Sequence, residues 1–269
     1  MKQGIAKGET GIPGAQAIRR AVDVIRAVAQ FQRSGASLSR VAQATGLNQS
    51  TAFRILRSLT EERMLYYDEG DRCYHLGILA FELGLATQGQ SQVQDHFRPA
   101  IEEIARRTRL TTYLMARSGD EAVCLLCVQG SALIRAMPLD VGQRLPLGIG
   151  AGSLAILATL DDAEIEQVLS AEENRFDLFP AGRVAIDSIR QRVAEVRKDG
   201  FSVTSGSVAN GLSGVGVPVL PRTGILQLAV SVSAVAEHID SAEAQSFAGI
   251  ISQTLGTLPA TSSPFHHAQ

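Results

Sequence analysis

The sequence has no run of about 18 apolar residues and no apolar core of a secretory leader, so neither a membrane-spanning helix nor a secreted disulfide framework is expected. Only Cys73, Cys124 and Cys127 occur among 269 residues, an odd and sparse set that cannot be a disulfide framework. A cytoplasmic, reduced setting is the expectation. Cys124-Leu-Leu-Cys127 has redox or metal spacing, yet it lies in the strand-like run Ala122 to Gln129. Positions three apart in a strand point to opposite faces, so both are expected to be plain strand cysteines.

Catalytic signatures are missing as well. There is no Walker A loop, no G-x-S-x-G elbow and no His/Cys cluster at metal-ligand spacing. His75 and His96 stand isolated, and His266-His267 falls in a tail read as frayed. The run Gly206 to Gly216 superficially suggests a nucleotide loop, but it leads into Val217-Pro-Val-Leu220 and another strand, whereas a dinucleotide fingerprint must open a helix. No enzyme, cofactor or metal site is expected. No tandem repeat or low-complexity tract appears.

What is present is ample apolar material, 45% hydrophobic against 19% charged residues, over a length that suits one small and one medium domain. The net charge of -2 is unevenly spread: residues 1–77 carry 11 Lys+Arg against 7 Asp+Glu, and the remainder carries 14 against 20. A basic first third on an acidic body suits a DNA-binding head, because phosphate neutralisation needs cations only where the duplex lies.

After an aperiodic arm of about a dozen residues, Ile18, Val22, Ile25 and Ala29 predict a first helix ending near Ser34-Gly35. A short second helix runs Leu38 to Thr45 and stops at Gly46, where glycine suits a left-handed cap. Asn48-Gln-Ser-Thr51 supplies N-cap chemistry for a third, to about Glu62. On its helical wheel Ala52, Phe53, Ile55, Leu56 and Leu59 form a packing side, and Ser50, Thr51, Arg54, Arg57 and Ser58 a polar, cationic side. Met64 to Tyr67, the turn Asp68-Glu-Gly-Asp71 and Cys73 to Leu76 read as a hairpin wing.

A helix-turn-helix lays its second helix in the major groove, so the groups near that helix's N-terminus reach base edges and phosphates. Those are Asn48, Gln49, Ser50, Thr51 and Arg54, with Ser37 at the head of the preceding helix counted beside them. Asn and Gln pair with adenine and Arg with guanine. Arg57, one turn on, is placed for the backbone, and Arg72 at the wing tip for the flanking minor groove. A rival reading is a winged helix that docks protein instead.

Gly77 to Gln90 reads as a connecting helix, with Thr87-Gln-Gly-Gln90 as the boundary. The second domain opens with a helix bearing Phe97, Ile101, Ile104 and Ala105, then strands Thr111 to Ala116, Ala122 to Gln129 and Leu133 to Met137. Capping-box patterns at Asp161 and Asp240 and the run Asp187 to Lys198 predict further helices. The last strands are Phe201 to Thr204, Val215 to Leu220 and Ile225 to Ser233. The class is α+β, with a sheet flanked by helices.

In order and spacing, Ala17 to Arg26, Leu38 to Leu47, Ser50 to Leu59 and Tyr74 to Gly77 resemble the head of IclR-type regulators. The resemblance continues in Val141 to Leu147, Gly150 to Ser153, Val196 to Phe201 and Val230 to Ser233. It implies a winged helix-turn-helix head over 12–76, a linker helix over 77–90 and a GAF-like effector-binding domain over 91–260. It also implies an operator in double-stranded DNA, a homodimer joined through the heads or a dimer of dimers, and control of a catabolic operon by a small organic acid.

The last two strands alternate: Leu226, Leu228, Val230 and Val232, like Val215, Val217 and Val219, face one way, while Gln227, Ala229, Ser231 and Ser233, like Gly214, Gly216 and Pro218, face the other. That second side is bare of bulk. Either a ligand fills it, held by the serines and the N-H groups of Ile149, Gly150, Ala151, Gly152 and Ser153 ahead of a helix Leu154 to Leu160, or a helix packs against the glycines. The resemblance places effector contacts at Gly150, Ala151, Ser205, Gly214, Ser231 and Ser233. This chain departs from many relatives in having Gly148 and Ser153 where those have His and Lys, which implies a less charged or bulkier ligand, such as an aromatic acid.

Overall fold

A computed structural model describes residues 15–31, 34–86, 88–132, 139–176, 186–219, 226–235 and 239–258, the side chains of 88–92 and 171–176 excepted. The chain divides into two compact units, Met1–Thr87 and Gln88–Gln269. Leu133 to Met137, the N-terminal arm and the His266-His267 tail lie outside the described residues.

The first unit is built from α1 (Gln16–Gln30), α2 (Leu38–Thr45), α3 (Gln49–Glu61), the antiparallel pair β1 (Leu65–Asp68) and β2 (Cys73–Leu76), and α4 (Ile78–Ala86). Ser37 caps α2 by accepting from the Arg40 amide, and Gly46 ends that helix at φ 66°, a left-handed position glycine takes without a steric penalty. Asn48 caps α3 through Oδ1, 2.8 Å from the Thr51 amide nitrogen. Such a cap contributes about 1 kcal/mol. The core gathers Val24, Ala27 and Val28 of α1, Val41 of α2, Leu56 of α3, Leu65, Tyr74 and Ala36.

Two expectations are corrected here. The core stripe of α1 is Val24, Ala27 and Val28, while Ile18 and Val22 of the predicted stripe are exposed. The helix carries two apolar stripes, and their spacing alone does not say which packs. On α3, Phe53 is 46% exposed and lies outside the core cluster that Ile55 and Leu59 join. On the helical wheel Phe53 stands at the border of the packing arc, where it can turn either way.

The second unit is a six-stranded antiparallel sheet in the order β5 (Arg144–Pro146), β4 (Glu121–Val128), β3 (Thr111–Ser118), β8 (Leu228–Val235), β7 (Leu212–Val219) and β6 (Ser202–Ser205). One face packs α5 (Gln88–Thr108) and α9 (Ser241–Gly256), through Phe97, Ile101, Ile104, Ala244, Ala248 and Ile251 against Val215, Val217, Leu228, Val230 and Val232. The other packs α6 (Ala151–Leu157), α7 (Asp162–Phe176) and α8 (Ile186–Asp199). Both predicted caps form: Asp240 makes a full capping box, and Asp161 Oδ1 lies 2.8 Å from the Glu164 amide nitrogen. The alternation read for β7 and β8 holds, because a central strand buried on both faces must send alternate side chains into different cores.

The opposite-face expectation for Cys124 and Cys127 fails. Met115 pairs with Cys124 and Leu114 with Leu126, so Leu125 is an extra residue in β4. This bulge reverses the parity, sending Cys124 and Cys127 to the same side as Tyr113 and both leucines to the other core. Nothing in a one-strand reading signals it. The extra carbonyl is taken up by Gln94, whose Nε2 donates to Leu125 O at 2.8 Å.

Candidate DNA interface and effector cleft

Short α2 followed by α3, with Gly46 between, presents the first turn of α3 outward. Asn48, Gln49, Ser50, Arg54 and Arg57 are exposed and Thr51 is half-buried. Not all of their polar atoms are free. Asn48 Oδ1 and the Thr51 amide are joined in the cap, leaving the Asn48 amide nitrogen to donate. The Arg57 Nε donates to Glu61 Oε1 at 3.0 Å in a pair exposed on both sides, which water screens. Ser37 is half-buried, its hydroxyl engaged as the cap of α2 and 3.1 Å from that of Ser39.

Arg72 sits in the turn of the wing at φ 59°, exposed. Carboxylates set that turn: Asp68 Oδ1 accepts from the Gly70 amide at 2.7 Å and Asp71 Oδ1 from the Cys73 amide at 2.8 Å. His75 is not isolated as expected, for its Nε2 lies 2.9 Å from Asp71 Oδ2 and its ring stacks on Tyr66 at 5.1 Å. The wing is tied back to the helices where Ala36 bridges Tyr74. A β-carbon on Gly35 would come within 2.4 Å of Cys73 Cβ, so only glycine fits that crossing.

In the second unit, register lines up two rows across the sheet. Tyr113, Ser231, Gly216 and Ser202 are successive neighbours, and so are Thr111, Ser233, Gly214 and Thr204. Helix α6 crosses above them. The close-packing alternative holds at Gly216, and α6 is fastened there by Ser202 Oγ, which donates to Ala151 O at 2.7 Å. Yet α6 does not cover the whole bare side. A cleft remains, about 440 Å³ including its open mouth, lined by Tyr113, Met115, Leu139, Leu145 and Val208 together with hydroxyls and the α6 start; the two kinds interleave, with Leu145 and Val208 beside Gly150 and Met115 beside Gly152.

Of the residues predicted to hold an effector, Gly150, Ala151, Gly152, Ser153, Gly214, Ser231 and Ser233 line this cleft, whereas Ile149 and Ser205 do not. Ile149 is packed in the core, and Ser205, exposed on edge strand β6, accepts from Ser213 at 3.0 Å. Strand alternation brings Thr204 to the cleft in place of Ser205. The predicted helix Leu154 to Leu160 starts earlier, at Ala151, and the Ser153 hydroxyl is turned back onto the carbonyl oxygens of Ile149 and Gly150.

Tyr113, Thr204 and Ser207, which were not among the residues expected from the sequence, also line the cleft. Strand alternation carried one residue further would have found Thr204; for Tyr113 and Ser207 the sequence holds no local signal. Ser207 Oγ accepts from the Gly150 amide at 3.2 Å. Thr204 and Ser231 are more than nine-tenths buried, and their hydroxyls have no hydrogen-bond partner among the described residues. No charged side chain among the described residues lines the cleft. Burial and the neighbouring thiols of Cys127 and Cys124 push the Tyr113 hydroxyl well above its ordinary range, and burial, reinforced by Cys127, pushes the Cys124 thiol up to about 12. A thiol so placed is protonated and inert.

Comparison with known proteins bears on both units. A model of the IclR helix-turn-helix domain matches residues 17–69, and one described as the bacterial transcriptional regulator IclR C-terminal region matches 86–257. The HTH-type transcriptional regulator XynR of Escherichia coli is 25% identical over 237 residues, 88% of this chain and 92% of that one. The HTH-type transcriptional repressor AllR of Klebsiella pneumoniae is 26% identical over 229 residues, 84% of this chain and 82% of its own. Among solved structures, an IclR homolog from Microbacterium hydrocarbonoxydans complexed with 4-hydroxybenzoate aligns at a TM-score of 0.66 and 21% identity, covering 90% of this chain and 99% of that one. An IclR family regulator from Brucella abortus aligns at 0.70 and 19%, covering 93% and 95%.

Proposed function

The chain belongs to the IclR family of bacterial transcriptional regulators, and from that premise we propose how its two units divide the work. As a family member it is an HTH-type DNA-binding regulator and not an enzyme. In our reading the head, 12–76, lays α3 in the major groove of an operator, the segment 77–90 links, and the body, 91–260, binds a small effector.

On the DNA side Gln49, Ser50 and Arg54 read base edges, Asn48 and Thr51 hold the first turn and contact the backbone, and Ser37, Arg57 and Arg72 meet phosphate or the flanking minor groove. The row of exposed polar groups on α3 supports this. On the effector side, the observation that carries the proposal is the pair of buried hydroxyls of Thr204 and Ser231, unpartnered within the described protein and lining one cleft. A buried polar group without a partner costs about 1–3 kcal/mol, and a ligand carrying acceptor oxygens relieves both. Gly150 to Ser153 and Ser233 line the same cleft, and the apolar side chains interleaved with them, Tyr113, Met115, Leu139, Leu145 and Val208, suit a hydrocarbon or ring, so a small organic acid, aromatic or aliphatic, is the class we assign.

A homodimer joined through the heads fits two unpartnered apolar faces: Ile18 and Val22 of α1, and Ile78, Phe81, Leu83 and Leu85 of α4, the last four all more than half exposed. A cytoplasmic location and control of a catabolic operon complete the proposal. Among the described residues no helix is long and apolar enough to cross a membrane.

The test is a thermal-shift screen of the full-length chain against small aromatic and aliphatic acids, 4-hydroxybenzoate included, followed by DNA-binding assays with each hit. A hit that raises the melting temperature and changes DNA affinity supports the proposal. A hit whose shift survives Thr204→Val and Ser231→Ala together places its site elsewhere.

A further inference from the structure

Phe53 is the large apolar side chain that the head leaves outside its core on the very helix assigned to DNA. It lies one turn after Gln49 and one turn before Arg57, in a single i, i+4 row, with Ser50 three residues behind and Arg54 beside it. Gln49, Arg54 and Arg57 are exposed around it. The ring is therefore enclosed by groups that seek base edges and phosphates, and a helix lying in the groove on this row cannot keep Phe53 out of it.

A phenyl ring makes no hydrogen bond, so set against the N7, O6 or amino edges of a purine or the amino edge of cytosine it strips water from polar groups and returns nothing. The major groove offers one apolar feature, the C5-methyl group of thymine. We infer that Phe53 is a specificity-determining residue that seats against a thymine methyl in the major groove. The inference rests on the DNA reading of α3 and deepens it: the operator carries a thymine at the step read between the contacts of Gln49 and Arg57.

The decisive measurement removes the methyl from the DNA and the ring from the protein in turn. Sites are selected from a random-sequence pool with the full-length chain, and each thymine of the selected site is replaced singly by deoxyuridine. The expected result is one thymine per half-site whose replacement weakens the wild-type chain about three- to tenfold, the scale of one buried methyl contact, while Phe53→Ala binds both DNAs alike and Phe53→Leu keeps part of the discrimination. Wild-type indifference to deoxyuridine at every position overturns the inference, and so does a Phe53→Ala chain that keeps the full discrimination. A Phe53→Ala chain that loses only its oligomeric state in sedimentation puts the ring between copies and overturns it too. If no sequence is selected at all, the DNA reading itself fails, an outcome distinct from the others.

Discussion

Gly216 and Ala151 approach so closely that a β-carbon on the glycine would lie 2.5 Å from the Ala151 carbonyl oxygen. The contact is between two backbones, so no side chain can swing away to relieve it. Gly216→Ala is expected to lift the start of α6 off the sheet and lower stability by about 1–3 kcal/mol, the range for overpacking. Chemical denaturation of the two chains checks this; equal midpoints and slopes would mean that α6 yields freely.

Arg54 and Arg57 are predicted to behave differently although both are exposed cations on one helix. Arg54→Ala should weaken binding to a selected site by about 1–3 kcal/mol and relax one base preference. Arg57→Ala should weaken all sequences by a similar factor and flatten the salt dependence, as loss of one phosphate contact does. Titrations on specific and random DNA at several salt concentrations separate the two. Identical losses on both DNAs from both variants would overturn the assignments.

Thr204 and Ser205 make a matched pair for the effector cleft. Thr204→Val removes a buried, unpartnered hydroxyl at nearly constant volume, whereas Ser205→Ala alters an edge position outside the cleft. Ligand affinity by calorimetry should fall about five- to tenfold for Thr204→Val, one hydrogen bond's worth, and stay level for Ser205→Ala. The reverse order would restore Ser205 as the contact.

Alkaline pH should loosen the second unit. Tyr113 and Cys124 both have raised pKa values in the fold, chiefly through burial, so between the ordinary thiol value of 9.0 and about 12 the unfolded chain has released protons that the folded chain retains. Stability is then full below pH 9.0 and declines as pH climbs through that window. Denaturation midpoints measured from pH 7 to 11 should fall at the upper end for the native chain and less so for Cys124→Ala. A flat profile would contradict the buried placement.

Phe81→Glu in α4 should shift the proposed dimer towards monomer in sedimentation without lowering its melting temperature, because that ring is 62% exposed and packs on nothing within its own chain's core clusters. Retention of the same mass would remove α4 from the interface.

Much of this was legible in the chain because local rules carried it. Asn48, Gly46, Asp161 and Asp240 mark helix ends through chemistry that acts over a few residues, and the alternation of β7 and β8 follows from a strand buried on both sides. What escaped depends on partners far away. Whether Val22 or Val24 of α1 is the inward residue is decided by α2 and β2, not by α1. Tyr113 and Ser207 enter the cleft from segments 94 residues apart, and only the closed sheet brings them together.

Leu125 is a supernumerary residue whose removal would leave every other β4 side chain facing as it does now, since the pairing on either side is already in step with a strand one residue shorter. A deletion there is therefore absorbed, with the Gln94 amide as the group left wanting. Deleting Leu126 gives the same chain, whereas a deletion elsewhere in the strand would shift the pairs beyond it by one residue and turn that part of the strand inside out. The strand has one place where its length can drift without its chemistry following.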